Sequence, residues 1–376
     1  MLTMMWALDW LKRIRKIKNM KSLKVLLILC LCLFACKHSE SGKSNPIQQK
    51  EEKESDFVKI SATTIVGKNP SYNLSSGEHY WKGVFLEGRE VTLSEYEIAK
   101  TEVSYKLWKE VLDFARTKDY VFANEGLKGA RNDGSGDEAE PVTTVSWWDA
   151  VIWCNAYTEM KNGNDAECVY RKTETDNSVL RNATNKVASS IVFFDQTKKG
   201  FRLPTEAEWE LAARFQTSNK NAEQHGSLYL TRLDSVSGAK KPIAFEGVEK
   251  GSYTYEELRD ESSTFAVYGQ WFDGKDVVDQ EPKVQCTQVV KSKKANELGL
   301  FDMSGNITEW CFDYFGRIEE GKEKDPIGAG LLAGGTRSTR GGSWADEAVD
   351  CSVGVRYGAP AITAESDLGF RLAKYK

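Results

Sequence analysis

Apolar residues recur along this chain in short bursts divided by polar, glycine-bearing stretches, and three of the bursts keep helical spacing. After Ser104, a serine suited to an N-cap, Leu107, Trp108, Val111, Leu112 and Ala115 fall on one face of a helix. A second helix opens at Ser146 with Asp149 three residues on, close to a capping box. Trp147, Ala150, Val151, Cys154 and Tyr157 mark its buried face, and Asn162-Gly163 ends it. The third start is the sharpest: Pro204 precedes Thr205, and Glu208 completes a capping box. Trp209, Ala212 and Ala213 then face inward. The two alanines let another backbone come close, which places this helix deep in the core.

Strands read as short. Residues 57–60, 91–93 and 96–99 alternate well enough for strands, and Ile191-Val192-Phe193-Phe194 makes a brief one inside a polar insertion, 172–200. Residues 65–88 and 125–140 read as loop, and 216–295 as irregular. No repeat, nucleotide-binding glycine loop or long amphipathic helix occurs. Three helices among many short strands make the class α+β, one irregular domain with a large loop fraction.

The amino end has a different pattern. Lys21 to Lys24 is a short basic start, residues 25–34 form a ten-residue apolar core, and Leu33-Phe34-Ala35-Cys36 resembles the lipobox at which bacterial lipoproteins are cleaved and lipidated. Residues 1–36 are therefore expected to be a signal segment with lipid on Cys36, and Met20 the true start. The apolar run is short for a membrane span. Residues 37–56 carry Ser, Lys, Glu and Gln with almost nothing to bury, as in a disordered tether, which leaves 57–376 as the folded domain. The expected location is the cell envelope, on a membrane through that lipid.

Composition narrows the partners. Beyond residue 35 the balance is 44 basic to 54 acidic residues, a formal −10, which argues against nucleic acid. The 41 aromatics supply an ample core. Five cysteines lie beyond the lipobox: Cys154, Cys168, Cys286, Cys311 and Cys351. None forms a CxxC pair, so zinc-site spacing is lacking and disulfide connectivity stays open. The three histidines, His38, His79 and His225, are scattered, which excludes a histidine-ligated iron or zinc centre and a histidine-based triad.

Two loop-rich stretches stand out near the carboxyl end. One is Asn296-Glu297-Leu298-Gly299-Leu300-Phe301-Asp302-Met303-Ser304-Gly305-Asn306-Ile307-Thr308-Glu309-Trp310. The other is Ser338-Thr339-Arg340-Gly341-Gly342-Ser343-Trp344, running on to Leu368-Gly369-Phe370-Arg371. Gly341-Gly342 permits positive φ or close approach, and Trp344 is an aromatic able to pin such a loop. Asp302 and Glu309 bracket Gly305 with free carbonyls between, an all-oxygen set of the kind Ca²⁺ takes. Spacing alone equally describes a turn with solvated acids.

Together with Gly200-Phe201-Arg202-Leu203-Pro204-Thr205-Glu206-Ala207-Glu208-Trp209-Glu210, these motifs closely resemble, in order, the formylglycine-generating-enzyme (sulfatase-modifying factor) family, a branch of the C-type-lectin-like folds. The resemblance runs from about residue 57 to 376. It implies one structural Ca²⁺ site on Asp302, Gly305, Ile307 and Glu309. It also implies a copper(I) oxidase pair of cysteines, because soft thiolates are what copper(I) needs. The family's second active cysteine falls on Cys351, but the first falls on Asp346, a hard carboxylate. The expected reading is a kept fold without the copper oxidase, with Cys351 a small buried hydrophobe. The rival is an active oxidase that converts a sulfatase cysteine to formylglycine, with Cys351 catalytic. The three scattered histidines also argue against the related iron-dependent sulfoxide synthases, which need a multi-histidine site.

In some spirochaete and phage proteins of this fold the region between the carboxyl-terminal motifs is diversified by a retroelement into new binding surfaces. The resemblance implies such a role here, a protein or small ligand held at Trp344, Asp346 and Tyr357 on a tolerant loop, 344–359.

Overall fold

The computed structural model describes residues 56–376 apart from 76–80, 132–134, 185, 187–189, 218–221 and 330–334. The signal segment, Cys36 and the tether up to residue 55 lie outside the described residues. Among those described, no helix is long and apolar enough to cross a membrane.

The domain closes on itself at its ends. Strand Phe57–Ile60 pairs antiparallel with Tyr96–Glu102, whose other edge takes the last strand, Arg371–Tyr375. A second sheet has the order Tyr357–Pro360, Thr336–Arg340, Thr308–Tyr314, Leu368–Gly369, antiparallel except for its last pair. A third sets Arg89–Leu93 between Thr63–Val66 and Gly321–Lys324. The class is α+β, as the pattern predicts.

Four helices occur among the described residues: α1 Tyr105–Arg116, α2 Trp147–Asn162, α3 Glu206–Arg214 and α4 Tyr255–Phe265. The first three start where their caps predict. Ser104 accepts from the Leu107 N–H, and both capping boxes, Ser146/Asp149 and Thr205/Glu208, are complete. Gly163 ends α2 in the left-handed conformation, φ 73°.

Four departures from the sequence reading have clear causes. Helix α4 falls in the stretch read as irregular. Its box, Thr254/Glu257, was visible in sequence, but only Leu258, Ser262 and Phe265 are buried, too sparse a stripe to register as periodic. The strand Thr63–Val66 enters the region read as loop. Strands Thr308–Tyr314 and Thr336–Arg340 run through motifs read as loop, because they are buried on both faces and so lack the alternation of a half-exposed strand. Helix α2 is buried on every side from Trp147 to Glu159, not along one face.

The core is aromatic. Trp108 and Trp153 stack at 5.8 Å with an interplanar angle of 2°, and Phe370 meets both edge-on. Phe370 thereby ties the Leu-Gly-Phe-Arg motif to α1 and α2.

Candidate functional site

Helix α3 is the polar centre of the molecule. Its glutamates at every second position each hold an arginine. Glu206 accepts from Arg356 at 2.6 and 2.8 Å. Glu208 accepts from Arg202 at 2.6 Å on both oxygens. Glu210 accepts from Arg214 and Arg340, each at 2.8 Å. All seven side chains are buried, where such pairs survive only when fully hydrogen-bonded. Burial pushes the Glu206 carboxyl up, but the Arg356 and Arg340 charges outweigh that and hold it below its ordinary value.

Arg340 carries this centre into the carboxyl-terminal loop, donating to the carbonyls of Val355 at 2.6 Å and Val353 at 2.9 Å. The two late motifs are knit together ahead of it. The Gly305 N–H donates to the Gly341 carbonyl, and the Trp344 N–H to the Asn306 carbonyl. Gly305 must be glycine: at φ 73° a Cβ would stand 2.1 Å from the Val267 carbonyl oxygen. Gly342, at φ 66°, is equally confined, since a Cβ there would lie 2.8 Å from both the Asp350 carbonyl oxygen and the Cys351 sulfur.

This packing corrects the extent of the predicted loop surface. Residues 351–356 are buried, held beneath the surface by Arg340, so 344–359 is not a uniformly tolerant loop. Trp344, Asp346 and Tyr357 remain partly exposed. The Trp344 indole N–H has no acceptor among the described residues, and the Tyr357 hydroxyl donates to Asp350 at 2.6 Å.

Asp346 has a structural task. Its Oδ2 accepts from the Ser343 N–H at 3.0 Å and the Ser343 hydroxyl at 2.8 Å, which closes the turn after Gly342. Asp367 also reaches that hydroxyl, at 3.4 Å. Burial, and then the Asp346 and Glu365 charges, push Asp367 up to about 6. Cys351 is buried with its sulfur 3.7 Å from the Ser343 carbonyl. Burial first, and then Asp346 and Asp350, drive its thiol well above the ordinary range, so it is neutral at pH 7. The five cysteines beyond the lipobox are all free.

The residues predicted for calcium lie along one turn. Glu309 accepts from Arg371 at 2.5 and 2.6 Å and from the Trp209 indole at 2.8 Å. Asp302 Oδ2 accepts from the Lys291 N–H at 2.8 Å, and burial pushes Asp302 up to about 6. Glu102, unnoticed in the sequence, joins them by accepting from Asn306 and the Ile307 N–H. Three carboxylates are thus buried near Arg371, which bonds that of Glu309 and the Asp302 carbonyl, and burial followed by the Asp302 and Glu309 charges raises Glu102 well above its ordinary value. No trio of His, Cys, Asp or Glu side chains among the described residues is arranged to hold a metal. A cation here would draw on backbone oxygens at Gly305 and Ile307.

The sequence reading missed the Glu206, Glu208 and Glu210 trio and Glu102. The alternation Glu-x-Glu-x-Glu in a helix of the core, set against Arg202, Arg340 and Arg371 in three of the motifs, was the available signal.

With this geometry in place, comparison with known proteins is decisive for the family. Residues 48–376 match the sulfatase-modifying factor enzyme 1-like domain. The chain belongs to that family. Among similar proteins, the chaperone protein LppX of Paenibacillus barcinonensis is 27% identical over 61% of this chain and 66% of its own length. A formylglycine-generating enzyme of Streptomyces coelicolor is 26% identical over 65% of this chain and 56% of its own length. The chain therefore spans just under two thirds of the first relative's length and a little over half of the second's. Among solved structures, Treponema denticola variable protein 1 is 29% identical at TM-score 0.54, over 85% of this chain and 95% of its own. CarF, at 23% identity and TM-score 0.54 over 85% and 98%, shares the fold.

Proposed function

We propose that this family member is a ligand-binding protein of the cell envelope, anchored by lipid on Cys36, in which the copper oxidase chemistry has been lost. The observation that carries the reading is the pair of hydrogen bonds from Ser343 to Asp346. The position that would supply a first thiolate is a carboxylate committed to holding a turn. Copper(I) favours soft sulfur, and the remaining sulfur, Cys351, is buried and protonated. This donor set does not fit copper. The partly exposed Trp344 and Tyr357, with the Asp346 rim, form the ligand surface in this reading. A variable protein and a chaperone among the similar proteins fit a fold whose loops serve binding.

Structural calcium belongs to the same proposal. With Glu309 paired to Arg371 and Glu102 raised well above its ordinary value, the buried Asp302 is the charge that a cation at Asp302, Gly305, Ile307 and Glu309 would compensate. Its role would be to fix the turn that supports Gly341, with no part in chemistry.

The test is an oxidase assay on the purified protein loaded with copper(I) and offered a sulfatase-type cysteine peptide. The expected result is no turnover in the native chain and none in Cys351→Ser. Turnover in the native chain that vanishes in Cys351→Ser overturns the reading and restores the formylglycine-generating oxidase. The anchor is tested separately: Cys36→Ala should abolish incorporation of radiolabelled lipid, and unchanged labelling would refute it.

A further inference from the structure

A second site lies in the polar insertion, apart from the motifs that define the family. The segment after strand Tyr170–Arg171 folds back on it, with the Lys172 N–H donating to the Ser178 carbonyl and the Leu180 N–H to the Tyr170 carbonyl. The fold-back leaves a surface cleft of about 720 Å³ whose walls include Arg171, Lys172, Arg181 and Lys186 against a single acid, Asp165.

The charges in this cleft are unevenly matched. Arg181 is bound by Glu159 at 2.6 Å and Asp165 at 2.8 Å, so the acids on this wall are already engaged. Arg171 is 7% exposed. Its terminal nitrogens donate only to backbone carbonyls, of Asn177, Ala166 and Asp165. Its Nε has no acceptor, and it forms no ion pair among the described residues. A guanidinium cannot give up its proton at any accessible pH, so this buried positive charge favours an anion in the cleft. Nearer the surface, Lys172 has one loose and exposed partner, Asp176 at 3.7 Å. Lys186 rests over the Trp148 ring at 5.0 Å. Burial, and then the charge of Lys172, lowers the Lys186 ammonium. Two lysines thus line the cleft close enough for the charge of one to act on the other, with the buried Arg171 on the same wall.

We propose that this cleft is an oxyanion site for a sulfate or phosphate group, gripped by Lys172 and Lys186 over the buried charge of Arg171. Point-charge ammonium groups suit a tetrahedral oxyanion, and they can close on it from two sides. The neutral Asn182 amide on the same wall leaves room for the group to arrive as an ester on a larger molecule.

Isothermal titration calorimetry on the full chain tests this, with sodium sulfate and sodium phosphate titrated at constant ionic strength set by chloride. The expected result is saturable one-to-one binding of at least one oxyanion, weakened tenfold or more in Lys172→Gln/Lys186→Gln. Both lysines are surface residues, so that variant should keep the native circular dichroism spectrum. A monosaccharide sulfate ester distinguishes the source: tighter binding than inorganic sulfate assigns an esterified ligand, and weaker binding assigns the free ion. Absence of saturable heat with either oxyanion overturns the proposal. So does an unchanged affinity in the folded double variant, which would leave an adventitious ion only.

Discussion

Gly342→Ala is the sharpest probe of how the carboxyl-terminal loop is held. At φ 66° an alanine takes on left-handed strain of about 1–2 kcal/mol. Its Cβ would also meet the Asp350 carbonyl oxygen and the Cys351 sulfur at 2.8 Å, closer than real Cβ atoms sit. Relieving such contacts in a packed interior costs about 1–3 kcal/mol more, and Arg340 pins the carbonyls of Val353 and Val355 just beyond. Gly163, at the end of α2, supplies the control: its φ is 73°, yet nothing lies within 4 Å of a Cβ. Gly163→Ala therefore carries the strain alone. In urea unfolding of the purified chain, Gly342→Ala should cost about 1–3 kcal/mol more than Gly163→Ala. Adding Cys351→Ala to Gly342→Ala should return part of the loss by removing the sulfur contact, a coupling that a double-mutant cycle reads directly. Equal costs for the two glycine variants would show that the loop gives way freely, and the fixed framework inferred around Cys351 would fall.

Other consequences are as concrete. Glu206→Gln strands Arg356 in the core, so chemical unfolding should show a loss of about 3–5 kcal/mol; a loss under 1 kcal/mol would deny the charge centre its structural weight. Asp367, raised to about 6 from an ordinary 3.8, holds its proton longer when folded, so its contribution to stability falls as pH rises through that window. The native chain should lose about 2 kcal/mol relative to Asp367→Asn between pH 4.5 and 7.5, and a pH-independent difference between the two would refute the assignment. Calcium at 100 times its dissociation constant should add about 2.7 kcal/mol to the native state by mass action. A melting temperature indifferent to calcium, to chelator and to Asp302→Ala would remove that site.

What was legible in the sequence was local. The caps at Ser104, Ser146 and Thr205 place three helices because a cap satisfies orphan N–H groups within four residues of itself. Helix α4 had an equal cap at Thr254, but its apolar stripe is thin, and a start signal without a periodic face was not read as a helix. The partnerships of Glu206, Glu208 and Glu210 were out of reach for a different reason. Arg356 and Arg340 lie 150 and 130 residues from Glu206 and Glu210, while the nearer Arg202 and Arg214, six and four positions from Glu208 and Glu210, look in sequence like partners of solvated acids. The same blindness affected Glu102, and it made residues 351–356 look like open loop when Arg340 holds them under the surface.

These charge pairs also explain how the family's motifs can outlast its chemistry. Arg340 in Arg-Gly-Gly-Ser binds Glu210, and Arg371 in Leu-Gly-Phe-Arg binds Glu309. Losing Arg340 would leave Glu210 with Arg214 as its one guanidinium, and losing Arg371 would leave Glu309 with the neutral Trp209 indole, so the folded state would suffer whatever the loop above it does. The Asp346 carboxylate bonds Ser343 within one turn. A thiolate can be exchanged for a carboxylate at that position while α3 and its arginines stay in place. The arginine–glutamate pairs of the scaffold involve other side chains than the Ser343–Asp346 turn, which is what the proposed binding role requires.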